Sequence, residues 1–139
     1  MSNGFVADSS VAVAWAVLSQ SSQPTERLLN HVASGRPFVV PILWVFEVAN
    51  ALLVLTRRNK IRPEQCARAR RALSHLNPVV DEEGPRSALG KVSDLAEEHG
   101  LSVYDATYLE LALRRRLPLA SRDKDLNKAA ARCGVSVLL

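Results

Sequence analysis

Short runs of apolar residues alternate along the chain with longer stretches in which apolar positions recur every three or four residues. Residues 4–8, 37–40, 79–80, 117–121 and 135–138 make up the short class and read as buried strands. Helical patterns fill the intervals. One starts near Ser10, one runs from Pro24 to Gly35, and one spans residues 41–59. Further patterns run from Pro63 to the Asn77-Pro78 stop, over 85–99 to Gly100, over 101–116, and over 124–133. Proline fits a first helical turn, where its missing N–H is not needed, and glycine fits the left-handed end. Short apolar strands separated by helices predict parallel crossovers. The expected fold is therefore an α/β sandwich with a mostly parallel central sheet covered on both faces. No linker, repeat or low-complexity segment interrupts residues 1–139, so a single domain is expected.

With 139 residues, 47% apolar and 23% charged, the chain can bury a core without covalent staples. Cys66 and Cys133 are far apart, and no CxxC or Cys/His cluster is present. Reduced thiols are expected, rather than a disulfide framework or structural zinc. The start lacks the basic and apolar regions of a secretion signal. The longest apolar run, residues 42–55, is interrupted by Glu47 and Asn50 and is shorter than the roughly 20 residues of a membrane span. A soluble cytoplasmic protein without membrane contact is expected.

Four acids stand at the edges of apolar segments: Asp8 after Phe5-Val6-Ala7, Glu47 within Trp44-Val45-Phe46, Asp105 after Val103-Tyr104, and Asp123 after Leu119-Ala120-Ser121-Arg122. Burying one ionised carboxylate costs several kcal/mol unless a cation or donor compensates it. A set of four beside the core calls for a bound divalent metal. Each acid also has a local explanation. Asp8 can cap a helix, although Ser9 and Ser10 are also available. Ser102 and Asp105 have capping-box spacing, and Asp123 or Asp125 can begin a helix. Glu47 lies too far from Arg57 and Arg58 for a helical ion pair, while Asn50 shares its face and can orient it. Ligands in open α/β sheets bind beyond the carboxyl ends of the strands, where Asp8, Asp105 and Asp123 can meet.

The formal net charge is +4 with these acids included, so the remaining surface is more basic than the total suggests. A basic surface around an acidic pocket suits a polyanion such as nucleic acid. Arg122 and Lys124 flank Asp123 and are placed to meet a phosphate. Arg114-Arg115-Arg116, like Arg57, Arg58 and Lys60, sits at a helix end, where cations complement the dipole. His31, His75 and His99 read as scattered surface residues.

The segments Val6-Ala7-Asp8-Ser9-Ser10, Glu47-Val48-Ala49-Asn50-Ala51-Leu52, Ser102-Val103-Tyr104-Asp105-Ala106-Thr107-Tyr108-Leu109 and Leu119-Ala120-Ser121-Arg122-Asp123-Lys124-Asp125-Leu126, in this order and spacing, carry a resemblance. The chain resembles the PIN-domain ribonucleases, and within them the VapC toxins of bacterial toxin–antitoxin pairs. The resemblance covers essentially the whole chain and implies a PIN-like α/β/α sandwich and a Mg²⁺- or Mn²⁺-dependent endoribonuclease. It also implies that Asp8 and Asp105 are the principal metal ligands. Glu47 and Asp123 would complete the pocket, partly through water, with Asp125 as the alternative fourth acid. Ser9 and Ser121 match supporting positions. The expected partners are an RNA substrate, a cognate antitoxin and a second copy of the chain in a homodimer.

An RNA-processing PIN ribonuclease without an antitoxin, and an inert PIN-like binding module, remain as alternatives. A receiver-like domain would want adjacent acids near the first strand, and Asp8 is followed by Ser9 and Ser10. A DxD phosphatase needs an acid two residues after Asp8.

Overall fold

The computed structural model describes residues 3–139. Its elements in chain order are β1 (Phe5–Ala7), α1 (Ser9–Ala16), α2 (Gln23–Ala33), β2 (Phe38–Pro41), α3 (Leu43–Arg57), α4 (Pro63–Ser74), β3 (Val79–Asp81), α5 (Ser93–His99), α6 (Val103–Arg115), β4 (Leu119–Ala120) and α7 (Lys124–Arg132). The four strands form one sheet in the order β3-β2-β1-β4, with every pairing parallel. Helices cover the sheet in an α/β/α sandwich, as the alternating pattern predicts.

The core follows from the apolar periodicities. Phe5, Val6 and Ala7 of the central strand are fully buried, and so are Phe38 and Val40 beside them. Trp44, Val48 and Leu52, four residues apart, turn the inner face of α3 toward this core. Trp15 and Trp44 meet Phe38 edge-on, with ring centroids 5.4 and 6.0 Å away. Ser22 and Thr25 close a capping box at the start of α2, and Pro24 sits in that first turn.

Three expectations from sequence need correction. Residues 85–99 do not form one helix: a 3₁₀ turn, Gly84–Ser87, leads into a π-type turn, Ala88–Val92, before α5 begins. Gly90 breaks the run with φ −118° and ψ −106°, a backbone state far from helical. Residues 135–138 contribute a single parallel bridge, Val137 to Leu119, rather than a strand, because β4 has just two residues to pair with. Pro41 closes β2 instead of opening α3. Cys66 and Cys133 are both free thiols, and among the described residues no helix is long and apolar enough to cross a membrane.

Candidate active site

The chain leaves β1 for β2 and β3 on one side, then returns to place β4 on the other. The strand order therefore reverses between β1 and β4, and a crevice at the carboxyl ends of these strands is where such sheets bind ligands. Ala7 pairs with Ala120 in register, and the Asp8 amide donates to the Ala120 carbonyl at 3.1 Å. Asp8 and Ser121 are thus brought level by the sheet itself.

Asp8 is 5% exposed. One of its oxygens accepts the Ser10 and Val11 amides at 3.0 and 3.3 Å and also the Ser10 hydroxyl. The other oxygen accepts the Ser121 hydroxyl, which in turn accepts the Asp123 amide at 2.9 Å. A hydroxyl is both donor and acceptor, so Ser121 ties the acid after β1 to the loop after β4. Burial pushes the Asp8 carboxyl above its usual range, and these neutral donors offset part of that rise.

Glu47 lies one turn into α3 and is half-buried. The Tyr108 hydroxyl, from α6, donates to its Oε1 at 2.6 Å, and the Ser9 hydroxyl favours its ionised form as well. Burial and repulsion from Asp105 and Asp8 raise the Glu47 carboxyl. Burial and hydrogen bonding to Glu47 keep the Tyr108 phenol protonated.

Asp105 is held in the first turn of α6, where Ser102 caps the helix by accepting the Asp105 amide at 3.0 Å. Burial raises its carboxyl, followed by repulsion from Asp123 and Asp8, with Asp125 weaker. Asp123 is exposed and caps α7, its Oδ1 accepting the Asp125 and Leu126 amides at 2.9 and 3.0 Å. Of the two candidates for fourth acid, Asp123 therefore acts more strongly on Asp105.

Asp8, Glu47, Asp105 and Asp123 accordingly share one region, each within electrostatic reach of another. Among the described residues, none of the four is in an ion pair with a lysine, arginine or histidine, and no three acid, imidazole or thiol groups close into a ready ligand cage. Oxygen donors without thiol or imidazole match the preference of Mg²⁺ and Mn²⁺. Asn50 is exposed and makes no hydrogen bond to Glu47. Arg122 and Lys124 are exposed at the lip, with the Arg122 guanidinium 3.4 Å from the Gln20 side chain.

Sequence reasoning missed Tyr108 and the role of Ser10. Tyr108 occupies a core position in the helical pattern, and its partner lies 61 residues away. The relation is non-local and leaves no mark in spacing. His99 is not a surface residue as expected: its side chain is 10% exposed, with Nε2 3.3 Å from Cys133 Sγ.

A model of the PIN domain family matches residues 5–132. The chain belongs to the PIN domain family. Among solved structures, this PIN chain is similar to PAE2754 from Pyrobaculum aerophilum, at 23% identity and TM-score 0.68, covering 99% of this chain and 92% of that one. A toxin–antitoxin complex from Klebsiella pneumoniae matches at 22% identity and TM-score 0.56, over 87% and 88% of the two chains. VapBC2 from Rickettsia felis, bound to a DNA fragment from their promoter, matches at 11% and 0.64, over 96% of each. None of the curated proteins matches by sequence. At these identities the neighbours speak for the PIN fold.

Beside the PIN acids lies apolar surface. Phe46, just before Glu47, is 72% exposed, and Tyr104, just before Asp105, is 63% exposed. Both line a cleft of about 350 Å³ with Ile42, Leu43, Pro85 and Val103. Helix α3 thus has one face in the core and another open.

Proposed function

We propose that this PIN domain is a divalent-metal-dependent endoribonuclease and the toxin of a toxin–antitoxin pair, acting in the cytoplasm. One observation carries the reading: Asp8, Glu47, Asp105 and Asp123 converge at the β1–β4 switch point and, among the described residues, no cation is paired to any of them. Mg²⁺ or Mn²⁺ would be held by Asp8 and Asp105, with Glu47 and Asp123 completing the set directly or through water. When bound, such an ion supplies Lewis-acid stabilisation of phosphate charge and makes water a stronger nucleophile.

The chain's own groups do the positioning. Ser10 and Ser121 fix Asp8, Tyr108 and Ser9 fix Glu47, and Ser102 anchors the turn that presents Asp105. Arg122 and Lys124, exposed beside Asp123, meet the RNA backbone. Hydrolysis by water leaves a 5′-phosphate and a 3′-hydroxyl. The cleft between Phe46 and Tyr104 supports a protein partner, and the likeness to toxin–antitoxin complexes supports an antitoxin in that role. Pairing of two copies is proposed alongside it.

Expression of the chain in bacterial cells tests the proposal. Growth arrest with RNA fragmentation is expected, absent from Asp8→Asn and Asp105→Asn and relieved by co-expressing the antitoxin encoded beside it. Asparagine caps helices about as well as aspartate, so Asp8→Asn preserves the start of α1. Arrest of equal strength in both variants would refute the nuclease.

A further inference from the structure

Seven of the chain's 18 lysines and arginines fall within residues 57–71, against one acid, Glu64. That segment carries +6, and with a chain total of +4 the rest carries −2. The basic surface of the molecule is therefore not spread around the acidic pocket. It is gathered at the corner where α3 ends and α4 begins.

Local physics does not account for this gathering. Arg57 and Arg58 complement the end of α3, but Lys60 and Arg62 stand just before the start of α4, the helix end that repels cations. Arg68 and Arg71 share a face of α4 at a spacing that sets like charges against each other. Arg62 pairs with Glu64 at 3.5 Å. Among the described residues, Arg57, Arg58, Lys60, Arg68, Arg70 and Arg71 are in no ion pair, and all are exposed. Arg114 and Arg115, by contrast, are consumed by acids of the chain.

The corner also has shape and a connection to the pocket. Lys60, Gln65 and Arg68 face Leu18 and Ser19 across a cleft of about 490 Å³. Gln20, which ends the 3₁₀ turn Leu18–Gln20, is the residue reached by Arg122 from the lip of the acidic pocket. Asp8 caps one end of α1, and the cleft lies at the other end. Eight helical residues separate them by about 12 Å, a span that a few nucleotides of backbone can bridge.

We propose that the α3–α4 corner, with Lys60 and Arg68 at its cleft, is an anchoring site for the RNA backbone that holds substrate several nucleotides from the cut and leads it past Arg122 to the acids. This inference rests on the nuclease reading. These residues grip phosphate and take no part in chemistry, so they set affinity rather than turnover.

The test compares Lys60→Glu/Arg68→Glu with Lys91→Glu/Lys128→Glu, a control of equal net charge placed elsewhere on the exposed surface. Binding of a fluorescent RNA oligonucleotide is measured on the Asp105→Asn background in EDTA across a salt series, and cleavage on the otherwise wild-type chain with Mn²⁺. The corner variant should weaken binding about tenfold and flatten the log–log salt dependence by about 1.5, at roughly 0.7–0.9 for each phosphate no longer neutralised. It should raise KM with kcat unchanged, and the control should do neither. Equal losses in both pairs, or none in either, would overturn the anchoring site while leaving the nuclease intact. Intact RNA binding with loss of a co-expressed antitoxin would overturn it in favour of an acidic protein partner. A parent protein that neither binds nor cuts RNA would remove the inference together with the function beneath it.

Discussion

The Asp8 carboxylate begins α1 by accepting two amides on one oxygen and receives the Ser121 hydroxyl from beyond β4 on the other, so one side chain caps a helix and is pinned at the sheet edge. Tyr108 does the comparable work for Glu47. Tyr108→Phe removes one hydrogen bond to a half-buried charge and should cost about 1 kcal/mol of stability. It should also weaken Mn²⁺ affinity several-fold by calorimetry, and unchanged affinity would relegate Tyr108 to packing. The raised carboxyls of Asp8, Glu47 and Asp105 give a signed pH effect. A folded-state pKa above the unfolded one contributes stability that is complete below the ordinary carboxylate range and lost as pH rises through the raised value. The metal-free protein should therefore melt at higher temperature as pH is lowered from neutral toward about 5, and Mn²⁺ should stabilise it most at the neutral end. A metal-free melting temperature that falls over that interval would contradict the burial, and the lesser repulsion at Glu47 and Asp105, that raise these acids.

Helix α6 serves two sites at once. Asp105 and Tyr108 face the pocket, while Glu110 and Arg114 face the opposite edge of the sheet. There Asp81, fully buried at the end of β3, accepts Arg114 at 2.7 Å, Arg115 at 3.0 Å and the Gly84 amide at 3.0 Å. The Arg114 hydrogen bonds hold the Asp81 carboxyl below its usual range, and its stabilising contribution, present above that range, is lost only in stronger acid. Asp81→Ala should cost about 2 kcal/mol in denaturant unfolding, because it removes a fully buried acceptor and leaves the Gly84 amide unsatisfied, while Arg114, partly exposed, keeps Glu110 and Glu83. A loss under about 1 kcal/mol would mean solvent already screens the network. The sequence pattern makes the four strands, the cap at Ser102, and the start of α4 at Pro63 legible, since each rests on neighbours within one turn. It places Arg114 at a helix end correctly but conceals Asp81, whose partners lie 33 and 34 residues away. The break at Gly90 was hidden because the apolar positions around it keep a helical rhythm that the backbone does not.

Across the whole molecule, charge is sorted into an acidic pocket at the β1–β4 switch point and a basic corner at the α3–α4 turn. Exposed apolar surface at Phe46 and Tyr104 lies beside the acids. The four acids could be nominated from sequence because each stands within or beside an apolar segment, and the parallel sheet then gives Asp8 and Ser121 a common level. The concentration of cations was present in the same sequence but acquires meaning only once α1 connects the cleft to the pocket. The claim that unites these features is metal-dependent hydrolysis of RNA at the acidic pocket. Its most direct test is to incubate purified, antitoxin-free protein with total cellular RNA and Mg²⁺ or Mn²⁺, beside EDTA and Asp105→Asn controls, and to map the new ends. Discrete cuts bearing 5′-phosphates, abolished by EDTA and by the substitution, are the predicted result. Cyclic-phosphate ends, or cleavage indifferent to both controls, would contradict it.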